Sequence, residues 1–418
     1  MTAPGADPAM DSRIPARVPP ILEQVDRLYE AVVRPREEAL AHRLTDSAQY
    51  LDQHGRLHPE LWQARREIMR ASAEAGIYSC YLPERLGGLG LGRHEMVFVE
   101  ERAYGYGVGL NPALLSWTDG ATPRLIFCSP EQRERFVDPL VRGEATSLHG
   151  VTEPQAGSNF FDFTTRAERR PDGTWELNGH KAFITNAFEA DIAHVLCVTD
   201  PGQGKRSFTY FQFETAPARA AGTMRLGKTF QTMWGDGLTG EFVLDGLVLG
   251  AENVLGEVGG AFEIARTSIN GTRLRRAGMC SGWGKYLVDL TVERARSRLV
   301  GGKPLGSNQG IQWLIADMWN DWFTTRAMSL AVTWEVDNPG PWWKTERSPQ
   351  EVRLICALKL QNDEAFYRIA DRAVQIHGGA GMMRDSAVNK LFLIARNLRV
   401  PGGSDEVQRS TIAQTLGL

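Results

Sequence analysis

Residues 149–186 constrain this chain more than any other stretch. They read HGVTEPQAGSNFFDFTTRAERRPDGTWELNGHKAFITN. Val151-Thr152-Glu153-Pro154 closes an apolar segment with a turn. Ala156-Gly157-Ser158-Asn159 follows, small and flexible enough for backbone to approach a ligand closely. Trp175–Gly179 and Lys181–Asn186 read as two strands joined by an Asn178-Gly179 turn. The expectation is a hairpin beside a small-residue loop. Such a unit can offer backbone N–H groups, threonine hydroxyls and one aromatic ring to a flat ligand.

The chain of 418 residues is long enough for two or three domains or layers around a large core. Its net charge of −3 provides no basic field for nucleic acid. No apolar run reaches the roughly 20 residues that span a bilayer, so no membrane association is expected. The first residues lack the apolar core of a signal peptide. Cys80, Cys128, Cys197, Cys280 and Cys356 are odd in number and never spaced as CxxC. They read as buried, reduced thiols of a cytoplasmic protein. The eight histidines form no HExxH-like pair, so no metal is expected.

In chain order, residues 1–20 are rich in Pro, Ala and Asp without apolar periodicity and read as a disordered tail. Residues 21–148 carry helical spacing. Leu22, Val25, Leu28 and Tyr29 share one face, Leu61, Ile68, Met69 and Ala73 another, and Met96 to Tyr104 a third. Ser129 with Gln132 three residues on reads as a helix start. Residues 149–260 switch to short alternating strands, among them Ala193–Thr199, Phe208–Phe213 and Gly240–Leu244. Asp172-Gly173, Asn178-Gly179 and Asp245-Gly246 read as the turns between them. Residues 261–418 are helical again, with long helices over Gln309–Trp334 and Glu351–Ile376, the latter stopped by Gly378-Gly379. The fold class is therefore α+β, mainly α: a helical domain, a middle antiparallel β domain and a four-helix-bundle-like C-terminal domain.

Thr152 to Asn159 and Leu177 to Asn186 resemble the middle domain of the acyl-CoA dehydrogenases, flavoenzymes whose pattern there is close to TEPxAGSD and then LNGxKxWITN. Asn159 stands for the acid and Phe183 for the tryptophan that covers the flavin ring. The order of helices, β domain and helical bundle is also similar from about residue 21 onward. The resemblance implies an FAD cofactor contacted by Val151, Thr152, Gly157, Ser158, Phe183 and Thr185. Arg298-Leu299-Val300-Gly301-Gly302-Lys303 resembles the family's RxxFGK loop, whose arginine binds the FAD pyrophosphate, usually of a neighbouring subunit. Gln309 matches a glutamine near the adenosine. Gln375-Ile376-His377-Gly378-Gly379 matches QxxGGxG, where Gln375, Gly378 and Gly379 would make room for the ADP portion. These sites imply a homodimer or homotetramer, with an electron-transfer flavoprotein as a possible acceptor. Asn270 and Arg273 match the segment that contacts the CoA thioester arm, and Arg275 and Arg276 add charge suited either to a phosphate or to a solvated helix face.

Desaturating an acyl thioester needs a base at Cα while flavin takes hydride from Cβ. Most family members carry that base in a segment like YEGTxEIQR, which matches Pro401 to Arg409 here. Gly402 occupies the base position, while Ser404 and Glu406 match positions that touch the cofactor's ribityl and AMP side. Other members place the base beside the substrate arginine, and Thr272 stands there. Three readings stay open: a dehydrogenase with a relocated base (Asp236, Asp119, Glu101 or Asp405), a member such as an enoyl-thioester reductase or flavin oxygenase needing no such base, and an inactive form that binds flavin or acyl groups.

Overall fold

The computed structural model describes residues 14–117, 119–344 and 346–418. Its longer helices are α1 (Pro19–Leu28), α2 (Pro59–Glu74), α3 (Arg93–Gly105), α4 (Ala261–Leu274), α5 (Arg276–Ser297), α6 (Gln309–Asp337), α7 (Pro349–His377), α8 (Ala387–Leu398) and α9 (Asp405–Thr415). Eight strands lie between α3 and α4: β1 (Ser147–Gly150), β2 (Arg166–Arg169), β3 (Trp175–Ile184), β4 (Ile192–Val198), β5 (Phe208–Glu214), β6 (Met224–Thr229), β7 (Gly240–Leu249) and β8 (Val254–Leu255). Residues 1–13 of the compositional tail lie outside the described residues. The rest of it is not tail-like, because Val18 is fully buried and α1 begins at Pro19.

The residues separate into two compact units. One holds the described residues up to Tyr50, Leu91–Leu114 and Asn270–Leu418; the other holds Leu51–Gly90 and Leu115–Ile269. In the first unit, α5 packs on α3, α6 and α7. Gly278 and Gly282 permit the approach to α3, since a Cβ on Gly278 would meet Glu100 Cβ at 2.4 Å and one on Gly282 would meet the Glu101 carbonyl at 2.5 Å.

In the second unit the strands form one sheet in the order β6-β7-β3-β2-β4-β5-β8, with β1 beside β4. Pairing is antiparallel except where β4 meets β1 and β2 in parallel. Leu148, Leu177, Phe211, Phe213 and Phe242 fill one core cluster on it. Here the expected hairpin fails. Trp175 to Ile184 is a single strand, paired on one side with β2 and on the other with β7. Gly179 is needed for a close approach instead of a turn, because a Cβ there would meet Thr165 Oγ1 at 2.4 Å. Asp245-Gly246 is likewise inside β7. The register slips between Leu177 and Gly179, Gly246 takes φ +66°, and its N–H donates to the Asn178 side chain at 2.7 Å. That is a bulge. Asp172-Gly173 does turn, with Gly173 at φ +88°.

Candidate active site

The 151–158 loop of the second unit is held from below by a buried ion pair. Lys181, on β3, is fully buried and places Nζ 2.9 Å from Glu153 Oε1 and 2.9 Å from the Val151 carbonyl. Glu153 also accepts the N–H groups of Thr164 at 2.8 Å and Thr165 at 2.9 Å. Burial alone would raise the Glu153 carboxyl; Lys181 and these donors overcome it and hold the group at about 2. The Ala182 N–H donates to the Thr152 carbonyl at 3.0 Å, tying the loop to β3. None of these contacts was legible in the motif, although Glu153 and Lys181 are both letters of it.

β3 ends where Phe183 takes φ +58° and Asn186 φ +62°. A left-handed backbone at a residue other than glycine costs on the order of 1–3 kcal/mol and persists only where its surroundings enforce it. The Asn186 side chain donates to the Ser147 carbonyl at 3.0 Å. Phe183 is turned outward, 57% exposed, with its ring 4.6 Å from that of Phe230. Thr152 and Thr185 are half-buried, and neither hydroxyl has a hydrogen-bond partner among the described residues. Gly157 and Ser158 are exposed beside them.

In the first unit, Arg298 follows α5 and is exposed. Its carbonyl accepts the Leu305 N–H at 2.7 Å, closing a small hairpin whose tip is Gly301 and Gly302. Gln309, also exposed, starts α6 directly after this loop. Gln375, Gly378 and Gly379 are exposed at the end of α7, and a Cβ on either glycine would meet nothing within 4 Å. Burial lowers His377, and the nearby charge of Arg294 lowers it further, which places the end of α7 near the end of α5. His377 Nδ1 lies 2.8 Å from the Ala373 carbonyl, a packing contact within its own helix.

The turn before α9 has a different character. Gly402 and Gly403 take φ +79° and +87°. Arg273 Nε donates to the Gly402 carbonyl at 2.9 Å, and Gln408 Nε2 to the Gly403 carbonyl at 2.8 Å. A Cβ on Gly402 would meet only Thr272 Cγ2, at 3.6 Å. Arg273 therefore positions this turn, and its Nη1 also reaches Cys356 Sγ at 3.5 Å. Asn270 is buried, Ser404 caps α9 through the Val407 N–H, and Glu406 is exposed.

Three of the four carboxylates considered as relocated bases are committed to cations. Asp405 is buried between Lys359 at 3.2 Å and Arg399 at 2.5 Å. Glu101 is gripped by Arg326 Nε at 2.9 and 2.8 Å. Asp119 pairs with Arg65 at 2.8 Å. Asp236 has no ion pair among the described residues. It is half-buried, its pKa is raised by burial, and it accepts the Leu238 N–H at 3.2 Å. Arg275 and Arg276 do not offer charge to a phosphate. Both are buried, Arg275 against the Tyr104 hydroxyl and Arg276 against Asp363 at 3.1 Å. The cysteines are free thiols, four buried and Cys128 partly so. Among the described residues no group of His, Cys, Asp and Glu could hold a metal ion, and no helix is long and apolar enough to cross a membrane.

Family models of the acyl-CoA dehydrogenase N-terminal, middle and C-terminal domains match residues 24–144, 149–245 and 259–417. The chain belongs to the acyl-CoA dehydrogenase family. It is 31% identical to (R)-benzylsuccinyl-CoA dehydrogenase of Thauera aromatica, across 86% of each chain. It is 28% identical to 3-(aryl)acrylate reductase of Clostridium sporogenes, across 84% of this chain and 90% of the other. The structure of butyryl-CoA dehydrogenase from Megasphaera elsdenii superposes with a TM-score of 0.79 at 27% identity, covering 95% of this chain and 98% of that one. The family is one of flavoprotein oxidoreductases, and FAD is the cofactor. The residues fit it: an outward aromatic ring at Phe183, uncommitted hydroxyls at Thr152 and Thr185, and an open glycine cradle at 378–379.

Proposed function

We propose that this protein exchanges hydride with the Cα–Cβ bond of an acyl thioester such as an acyl-CoA, and that it desaturates simple straight-chain acyl groups very slowly. When bound, FAD supplies the site that takes or gives the hydride. Phe183 would cover the ring system, and Thr152, Thr185 and Ser158 would hydrogen-bond the cofactor. Arg298 would hold the pyrophosphate, Gln309 the adenosine, and Gln375, Gly378 and Gly379 the ADP portion. Their exposure supports completion of the site by a second copy, in a homodimer or homotetramer, with an electron-transfer flavoprotein as electron partner. An FAD-loaded monomer in light scattering would refute that assembly, whereas Arg298→Ala should lose FAD and association together.

The observation that carries the reading is the bare turn at Gly402. A positioned general base contributes about 10²–10⁴-fold to proton removal, and glycine has no group to supply it. Arg273 and Gln408 keep the turn in place without adding a carboxylate. The test is anaerobic mixing of the yellow protein with butyryl- to palmitoyl-CoA. Flavin bleaching should be slow or absent; rapid bleaching would place the base elsewhere, with Asp236 first to be replaced.

The bare turn also favours a second reading, reduction of an enoyl thioester, in which Cα needs only a proton from water. The name of the Clostridium sporogenes relative supports it. Protein reduced beforehand should then be reoxidised by enoyl-CoA faster than by buffer alone.

A further inference from the structure

Arg124 lies in the turn of Pro123–Phe127 and is 3% exposed. Nη1 donates to Ser268 Oγ at 3.1 Å, while Nε and Nη2 have no partner among the described residues. Among the described residues no carboxylate pairs with it. Tyr210, Tyr81 and Cys128 act on it, the first and last pushed up by their own burial, and burial lowers Arg124 only to about 10, so it keeps its charge. His194, fully buried, and His149, half-buried, lie near it. Burial, then Arg124, pushes both well below the ordinary histidine range, so neither is a second cation. His149 Nε2 lies 2.7 Å from the Tyr210 hydroxyl.

A buried cation without a counter-ion is costly, and folded proteins ordinarily pair it. Nε and Nη2 lie on one edge of the guanidinium, two parallel N–H groups that match the two oxygens of a carboxylate. The site is also well placed. His149 is on β1, two residues before Val151 of the cofactor loop, within the same unit. We propose that the Nε–Nη2 edge of Arg124 binds a carboxylate, and that the substrate is an acyl thioester whose acyl group carries a second, free carboxylate. The substrate half rests on the thioester reading above; the site itself does not.

The experiment compares FAD-loaded native protein with Arg124→Met and Arg124→Gln. Succinyl-, glutaryl- and adipoyl-CoA are each titrated beside the straight-chain acyl-CoA of the same carbon number, with flavin absorbance and Tm as readouts. In the native protein at least one dicarboxylic thioester should bind about 10-fold or more tightly than its neutral counterpart. Both variants should lose that preference and, without ligand, match or exceed the native Tm, as expected when a buried uncompensated charge is replaced. Equal binding of both series, a preference that survives in Arg124→Met, or ligand-free variants that melt lower would each overturn the proposal. If no acyl-CoA of either kind binds, the thioester reading fails. In that case a Tm rise with free glutarate, seen in the native protein and absent in both variants, upholds the carboxylate site, and its absence refutes it.

Discussion

Two loops carry the chemistry expected of this protein, and they are built in opposite ways. The 151–158 loop rests on side chains: Glu153 and Lys181 are buried beneath it, paired with each other, and tie three backbone groups in place. The Gly402–Gly403 turn rests on its own carbonyls, held by Arg273 and Gln408, and projects no side chain at all. On the proposed function, the first is the platform for a flat cofactor. The second is an anchored turn of two glycines, with its carbonyls bonded by Arg273 and Gln408. On the proposed function, cofactor binding and proton transfer are therefore separable: the first loop serves the one, and the second offers no carboxylate for the other.

The strongest way to break this contrast is Gly402→Glu. Space is open, with Thr272 Cγ2 as the one neighbour within 4 Å, but φ +79° imposes strain of about 1–2 kcal/mol on any side chain. If the missing carboxylate limits desaturation, bleaching by some acyl-CoA should accelerate about 10²–10⁴-fold in stopped flow despite a lower Tm. An unchanged rate with a folded variant would show that the turn is not the limiting element.

Next in size is Lys181→Met, which leaves Glu153 buried without its counter-charge. A loss of about 3–5 kcal/mol in denaturant unfolding is expected, together with weakened FAD retention. The sign with pH follows. The folded Glu153 value of about 2 lies below the unfolded value of about 4.3, so its contribution is present above the latter and disappears as pH falls toward 2. Glu153→Gln should flatten the acid limb of the stability curve over that window.

Gly179→Ala sharpens the picture of β3. Its Cβ would meet Thr165 at 2.4–2.6 Å, an overpacking worth about 1–3 kcal/mol. Were Asn178-Gly179 a hairpin tip, alanine would carry no such clash. The smallest effect is expected from Thr152→Val and Thr185→Val. Their hydroxyls have no partner in the described residues, so apoprotein stability should hold while FAD affinity falls by about 0.5–1.5 kcal/mol for each hydrogen bond lost, read by fluorescence titration.

What the sequence made legible was local. Helices α6 and α7 were visible because apolar spacing and the glycines that stop α7 lie along one segment. The Thr152–Asn159 motif was visible because its small residues are contiguous. Errors came where partners are distant in sequence. Asn178-Gly179 has the composition of a turn, but Gly179 answers to Thr165 and to β7. Arg275 and Arg276 read as surface charge because Tyr104 and Asp363 lie far along the chain. Asp405 read as a free acid because nothing local announces Lys359. Arg124 carried no signal, since Ser268, to which its Nη1 donates, lies 144 residues ahead.

The unbroken run of β3 governs where the chain can change length. Along a strand successive side chains alternate faces; past Lys181 the register to β7 slips, and Phe183, at φ +58°, points out between buried Ala182 and Ile184. One extra residue at 172–173 would lengthen a solvent-facing turn and leave this alternation intact. The same extra residue between Gly179 and Phe183 would shift the pairing with β7 and carry Phe183 out of the position that turns its ring outward. Insertions and deletions should therefore be tolerated on one side of Trp175 and rejected on the other.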